Sequence, residues 1–180
     1  MKTHALQLTI TGSRRTIKEK DEPPTVRKAG RAMFNKMLVA IDGSDMSEKA
    51  LDAAVHLAKE QQAELSILHV GREAVVTTSS LTGIVYVPEH FIDEIRNEVK
   101  KEGLKILENA REKAAENGVQ AEIIYANGEP AHEILNTAKE KGVGLIVVGS
   151  RGISGLKEMM LGSVSHKVSQ LSTCPVLIVR

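Results

Sequence analysis

From residue 36 onward the chain alternates short apolar runs with longer stretches whose apolar residues recur every three or four positions. The run Lys36-Met37-Leu38-Val39-Ala40-Ile41 ends at Asp42-Gly43-Ser44, which predicts a buried strand running into a turn. With Ser44 or Asp45 as cap, Ala50, Leu51, Ala54, Val55 and Ala58 then describe a helix to about residue 61. Residues 65–70 predict a second strand. Residues 71–88 show no clear period and are long for a passive connector. From Pro88 to about Asn117, Ile92, Ile95, Val99, Leu104, Leu107 and Ala114 outline a long amphipathic helix closed by Gly118. A third strand is expected at 120–126. Pro130, suited to a first helical turn, opens a helix to residue 141. A fourth strand at 145–148, a helix at 162–171 and a last strand at 176–179 complete the pattern.

Apolar strands separated by helices demand a parallel sheet covered on both faces, because each crossover needs a helix and is right-handed. The expected fold class is α/β: a doubly wound, open, parallel five-stranded sheet of order 3-2-1-4-5. Its switch point lies between the first and fourth strands, where ligands bind outside the carboxyl ends. The segments 42–47 and 149–161 are therefore the candidate site.

The chemistry of the second segment points to phosphate. Gly149-Ser150-Arg151-Gly152, nine further residues and Gly162-Ser163-Val164-Ser165 join the fourth strand to the fourth helix. Glycine lets backbone approach a ligand closely, and a helix N-terminus offers free N–H groups and a favourable dipole. The Ser163 and Ser165 hydroxyls add candidate donors. Singly, the glycines suit turns and Ser163 an N-cap; together the array suits a di- or triphosphate. No G-x-x-x-x-G-K-[ST] motif occurs, and Gly142-Val143-Gly144 precedes a strand where a dinucleotide fingerprint follows one.

The chain resembles the universal stress protein family, in its nucleotide-binding, UspA-like class. Val39-Ala40-Ile41-Asp42-Gly43-Ser44, Leu68-His69-Val70, the spaced motif Gly149-x2-Gly152-x9-Gly162-Ser163 and the ending Cys174-Pro175-Val176-Leu177-Ile178-Val179 carry the resemblance, over residues 36–180. It implies an adenine nucleotide alpha hydrolase-like fold binding ATP, AMP or ADP. On this resemblance Asp42 accepts a hydrogen bond from the adenine amino group, with the Ala40 and Ile41 backbone beside the base. Val70 flanks adenine or ribose. Gly149 and Gly152 approach the ribose and α-phosphate, while Gly162, Ser163, Val164 and Ser165 hold the outer phosphates. Arg151 either screens phosphate charge or points to solvent. Mg2+ or Mn2+ is held through the phosphates, since the loop offers no carboxylate pair. The resemblance also implies a homodimer paired through Val176, Leu177, Ile178 and Val179, which would cover an otherwise exposed sheet edge.

Charge changes the picture at one end. Residues 1–36 carry nine Lys/Arg against three Asp/Glu, whereas residues 37–180 carry 15 against 20, so the formal total of +1 hides a basic arm on an acidic body. Residues 1–35 are accordingly read as a basic extension and 36–180 as the domain. The arm is open to three readings: a solvated tail, a polybasic contact for nucleic acid or an anionic membrane, or sequence upstream of a start at Met33 or Met37. The scarcity of aromatic residues (Phe34, Tyr86, Phe91 and Tyr125) argues against a stacking platform for single-stranded nucleic acid. No apolar run is long enough to span a membrane, and no signal peptide is evident. With the single Cys174, this places the expected location in a reducing cytoplasm.

Catalytic candidates are few. His132-Glu133 begins like a zinc-protease helix without its second histidine, and Ser44 and Ser47 lack a histidine–carboxylate partner. His69 reads as a hydrogen-bonded core residue, His166 as phosphate-sensing or outward, and Cys174 as a small packed residue. The expectation is an ATP-binding, nucleotide-dependent stress-response regulator with at most slow hydrolysis. The competing expectation is a homodimeric interaction protein of the same fold whose basic arm carries partner binding. An ATP-pyrophosphatase-type enzyme would need a Ser-Gly-Gly-x-Asp-Ser-type first loop, and here that turn is Asp42-Gly43-Ser44-Asp45.

Overall fold

A computed structural model of the chain describes residues 34–71, 89–153 and 161–180. The strands β1 (Lys36–Ile41), β2 (Glu64–Gly71), β3 (Ala121–Asn127), β4 (Leu145–Gly149) and β5 (Val176–Val179) form one parallel sheet of order β3-β2-β1-β4-β5. The helices are α1 (Asp45–Gln61), α2 (Glu89–Glu116), α3 (Pro130–Lys141) and α4 (Ser163–Leu171). The doubly wound order is the expected one, and the element bounds fall within about one residue of expectation. Residues 1–33 of the basic arm, 72–88 and 154–160 of the glycine loop lie outside the described residues.

The sheet is sandwiched, so β1 must be apolar on both faces. Alternate residues Met37, Val39 and Ile41 join Leu51, Val55 and Leu107 in the core beneath α1 and α2. Leu38 turns the other way and packs with Ile134, Ile146 and Val168 beneath α3 and α4. This is why the strand carries no polar alternation in sequence. Lys113 of α2 ties the first layer together, with Nζ 2.6 Å from Asp52 Oδ1 and 3.1 Å from Glu48 Oε2 on α1. The carboxyl ends of β1, β2 and β4 are left uncovered between the two helical layers, and the site lies there.

Candidate functional site

A cleft of about 900 Å3 opens at those strand ends. Every residue expected at the site lines it: Ala40, Ile41, Asp42, Val70, Gly149, Arg151, Gly152, Gly162, Ser163, Val164 and Ser165. The walls also include Leu68, His69 and Gly71 of β2, Val99, Glu102, Gly103 and Ile106 of α2, and Pro130 and Ile134 of α3. The sequence offered no signal for the α2 wall, since Val99 reads there only as part of an amphipathic helix's apolar stripe.

Helix caps decide where an anion can sit. At α1, Ser44 Oγ accepts from the Ser47 N–H at 3.3 Å. At α3 the Glu129 carboxylate accepts from the Ala131 and His132 N–H groups at 3.4 and 2.9 Å, and Lys167 of α4 pairs with it at 3.1 Å. Burial pushes the Glu129 carboxyl up, but Lys167 and the two N–H donors together hold it below the ordinary value. The cap of α4 is Gly162, which supplies no side-chain acceptor. Of the three helices with described N-caps, α4 alone has no side-chain acceptor at its cap.

Three motif residues have structural tasks besides lining the cleft. The buried Ser165 hydroxyl hydrogen bonds inward, with Ser150 O at 2.9 Å and Gly162 O at 3.0 Å as acceptors. Its single hydrogen is directed to backbone carbonyls, so the side chain braces the loop. Gly149 is small for a packing reason: a Cβ there would lie 2.8 Å from the Met46 backbone carbon and oxygen, where α1 crosses β4. At Gly152 a Cβ would overlap Asp42 Oδ2. Asp42 itself accepts three hydrogen bonds, from the Ser44 N–H (3.0 Å) and Ser44 hydroxyl (2.6 Å) at Oδ1 and from the Ile153 N–H (3.1 Å) at Oδ2. Ser163 is exposed and lines the cleft.

On the β2 side, His69 is buried, and its Nδ1 lies 3.0 Å from Ile41 O. A carbonyl only accepts, so Nδ1 carries a proton and donates it to Ile41 O. The ring stacks on Tyr125 at a centroid distance of 6.0 Å. Gly103 of α2 sits on this pair, and a Cβ there would lie 2.6 Å from Tyr125 Cε2 and 2.7 Å from His69 Cδ2. His132 and His166 are exposed, and Cys174 is half-buried, with its N–H donating to Ser172 Oγ at 3.1 Å. The described residues hold no cluster of three or more His, Cys, Asp or Glu able to bind a metal ion. No described helix is long and apolar enough to cross a membrane.

The model of the universal stress protein family matches residues 33–180. The chain belongs to the universal stress protein family. Over 148 residues this universal stress protein is 96% identical to the universal stress protein YxiE of Bacillus subtilis, covering 82% of this chain and all of that relative. The solved structure of MJ0577, from Methanocaldococcus jannaschii, superposes with a TM-score of 0.70 at 31% identity over 82% of this chain and 96% of that one. A universal stress protein solved in complex with cAMP superposes with a TM-score of 0.57 at 28% identity, over 82% and 97% of the two chains.

Proposed function

We propose that this universal stress protein binds ATP in the cleft at the β1–β4 switch point and acts as a nucleotide-dependent regulator of the stress response. The observation that carries the proposal is the uncapped N-terminus of α4, opening into the same cleft as the apolar ends of β1 and β2. The base lies beside Ala40, Ile41 and Val70, and the phosphates reach Gly162, Ser163 and the Val164 N–H. A solved family member holds an adenine nucleotide, cAMP, which supports the ligand class. ADP and AMP fit the same reading with fewer phosphate contacts. Mg2+ or Mn2+ enters with the phosphates, which supply its ligands. Turnover is slow or absent, because the Asp42 carboxylate already accepts three hydrogen bonds and is poorly placed to activate water.

Residues 36–180 are the binding unit and 1–35 an extension dispensable for it. Two copies pair through β5, an edge strand whose Leu177 is 36% exposed, and the cytoplasm is the working location. Isothermal titration of the full chain with MgATP tests the function, with one site per chain expected. Absence of heat at millimolar MgATP, and at millimolar AMP and ADP, refutes it. Light scattering at micromolar concentration tests the pairing, and a monomer rejects it.

A further inference from the structure

The Asp42 carboxylate is engaged on both oxygens before any ligand arrives. Oδ1 accepts from the Ser44 N–H and hydroxyl, and the same hydroxyl oxygen caps α1 by accepting from the Ser47 N–H. Oδ2 accepts from the Ile153 N–H, across 111 residues of sequence. Gly152 makes this reach feasible, because a Cβ there would clash with Oδ2. At the other end of the same short segment, Ser150 O accepts from the Gly162 N–H at 2.8 Å and the Ser165 hydroxyl at 2.9 Å. Residues 150–153 are thus pinned at one end to the N-terminus of α4 and at the other, through Asp42, to the cap of α1.

We propose that Asp42 is a positioning residue. Its carboxylate latches residues 150–153 to the α1 cap, and so sets the spacing between the base side and the phosphate side of the cleft. The nucleotide reading assigns Asp42 a direct contact with adenine; the latch is a separate task and holds in the empty protein. The two are compatible, since a carboxylate has roughly four acceptor positions and three are taken. The consequence for binding rests on the nucleotide reading, whereas the latch does not. A loop held in place beforehand loses less conformational freedom when an anion binds.

The isosteric variant Asp42→Asn separates these roles. Its oxygen keeps both Ser44 donors, while its amide nitrogen faces the Ile153 N–H, donor against donor. The flipped rotamer would keep the Ile153 N–H and set the nitrogen against the Ser44 N–H instead, with the Ser44 hydroxyl reversed to accept, so the Ser44 amide is followed as well. In the nucleotide-free full chain, amide hydrogen exchange of Ile153 is expected to accelerate about tenfold in Asp42→Asn, the factor for one charge-assisted hydrogen bond. The Ser47 amide, still capped, serves as the control for intact folding. Unchanged exchange of both the Ile153 and Ser44 amides overturns the latch. A second arm uses Ile153→Pro, which removes the donor and leaves the carboxylate. In MgATP titrations each single variant should bind more weakly, and the double variant no more weakly than the weaker single. Additive losses overturn the positioning role. Failure of the parent to bind any adenine nucleotide rejects the ligand reading while leaving the exchange result to judge the latch.

Discussion

Gly149 and Gly162 belong to one sequence motif, yet alanine should affect them very differently. At Gly149 the added methyl meets the Met46 carbonyl carbon and oxygen at 2.8 Å and Met46 Cβ at 3.0 Å. Two of these atoms are backbone in the first turn of α1, so no side-chain rotation relieves the overlap. Either α1 lifts from β4 or the strand end shifts. Overpacking of this kind costs about 1–3 kcal/mol, and the rigid neighbour argues for the upper end, about 3 kcal/mol. At Gly162 the methyl would meet Ser150 O at 3.4 Å and Arg151 Cα at 3.5 Å, close to ordinary contact. The backbone there is extended, with φ −64°, so alanine is unstrained. Its cost is the weaker capping preference of alanine relative to glycine, on the order of 0.5 kcal/mol. Urea unfolding followed by circular dichroism, at one fixed protein concentration, measures both. In a thermal scan Gly149→Ala should lower Tm by roughly 6–12 °C, at about 2–4 °C per kcal/mol for a domain of this size. Equal destabilisation by the two variants, or a Gly149→Ala protein within about 0.5 kcal/mol of the parent, refutes the division of labour.

Three further outcomes follow from the same geometry. Gly162→Asp should stabilise α4 by a few tenths of a kcal/mol through a new cap and dipole interaction. It should also abolish MgATP binding, because the carboxylate occupies the anion seat; retained affinity by titration contradicts the seat. Gly103→Ala should destabilise the protein by about 1–3 kcal/mol despite alanine's advantage of up to about 1 kcal/mol in a helix, since its methyl strikes Tyr125 and His69. A stabilised variant in urea unfolding would show that α2 does not rest on that pair. Glu122 is held below the ordinary carboxylate range first by its hydrogen bond to Lys141 and also by Ser66. A depressed folded-state pKa contributes stability above the unfolded value of 4.5, which is lost as pH falls through the folded one. The urea midpoint of Glu122→Gln should therefore fall less steeply than the parent's below about pH 4.5; parallel acid profiles contradict this.

Much of the fold was legible because it is encoded locally. Met37–Ile41 announces a strand covered on both faces, Pro130 and Gly142 bracket α3, and right-handed crossovers turn the order of elements into the sheet order. The site was legible at the level of loops, since a doubly wound sheet has one switch point and two loops there. The jobs of individual residues were not. Whether a glycine serves a ligand or a crossing helix depends on what stands opposite its missing Cβ. For Gly149 that is Met46, and for Gly103 it is Tyr125. Which way the Ser165 hydroxyl turns depends on the Ser150 carbonyl beside it.

By itself, then, the amino-acid order determined the strands, the helices, their winding and the two loops that meet at the switch point, since periodicity, caps and glycine spacing act over a few residues. Only the tertiary structure decided that α2 forms a wall of the cleft and that Asp42 holds the Ile153 N–H. Those are contacts between segments far apart along the chain. Their geometry comes from how whole layers pack, and no local pattern records it.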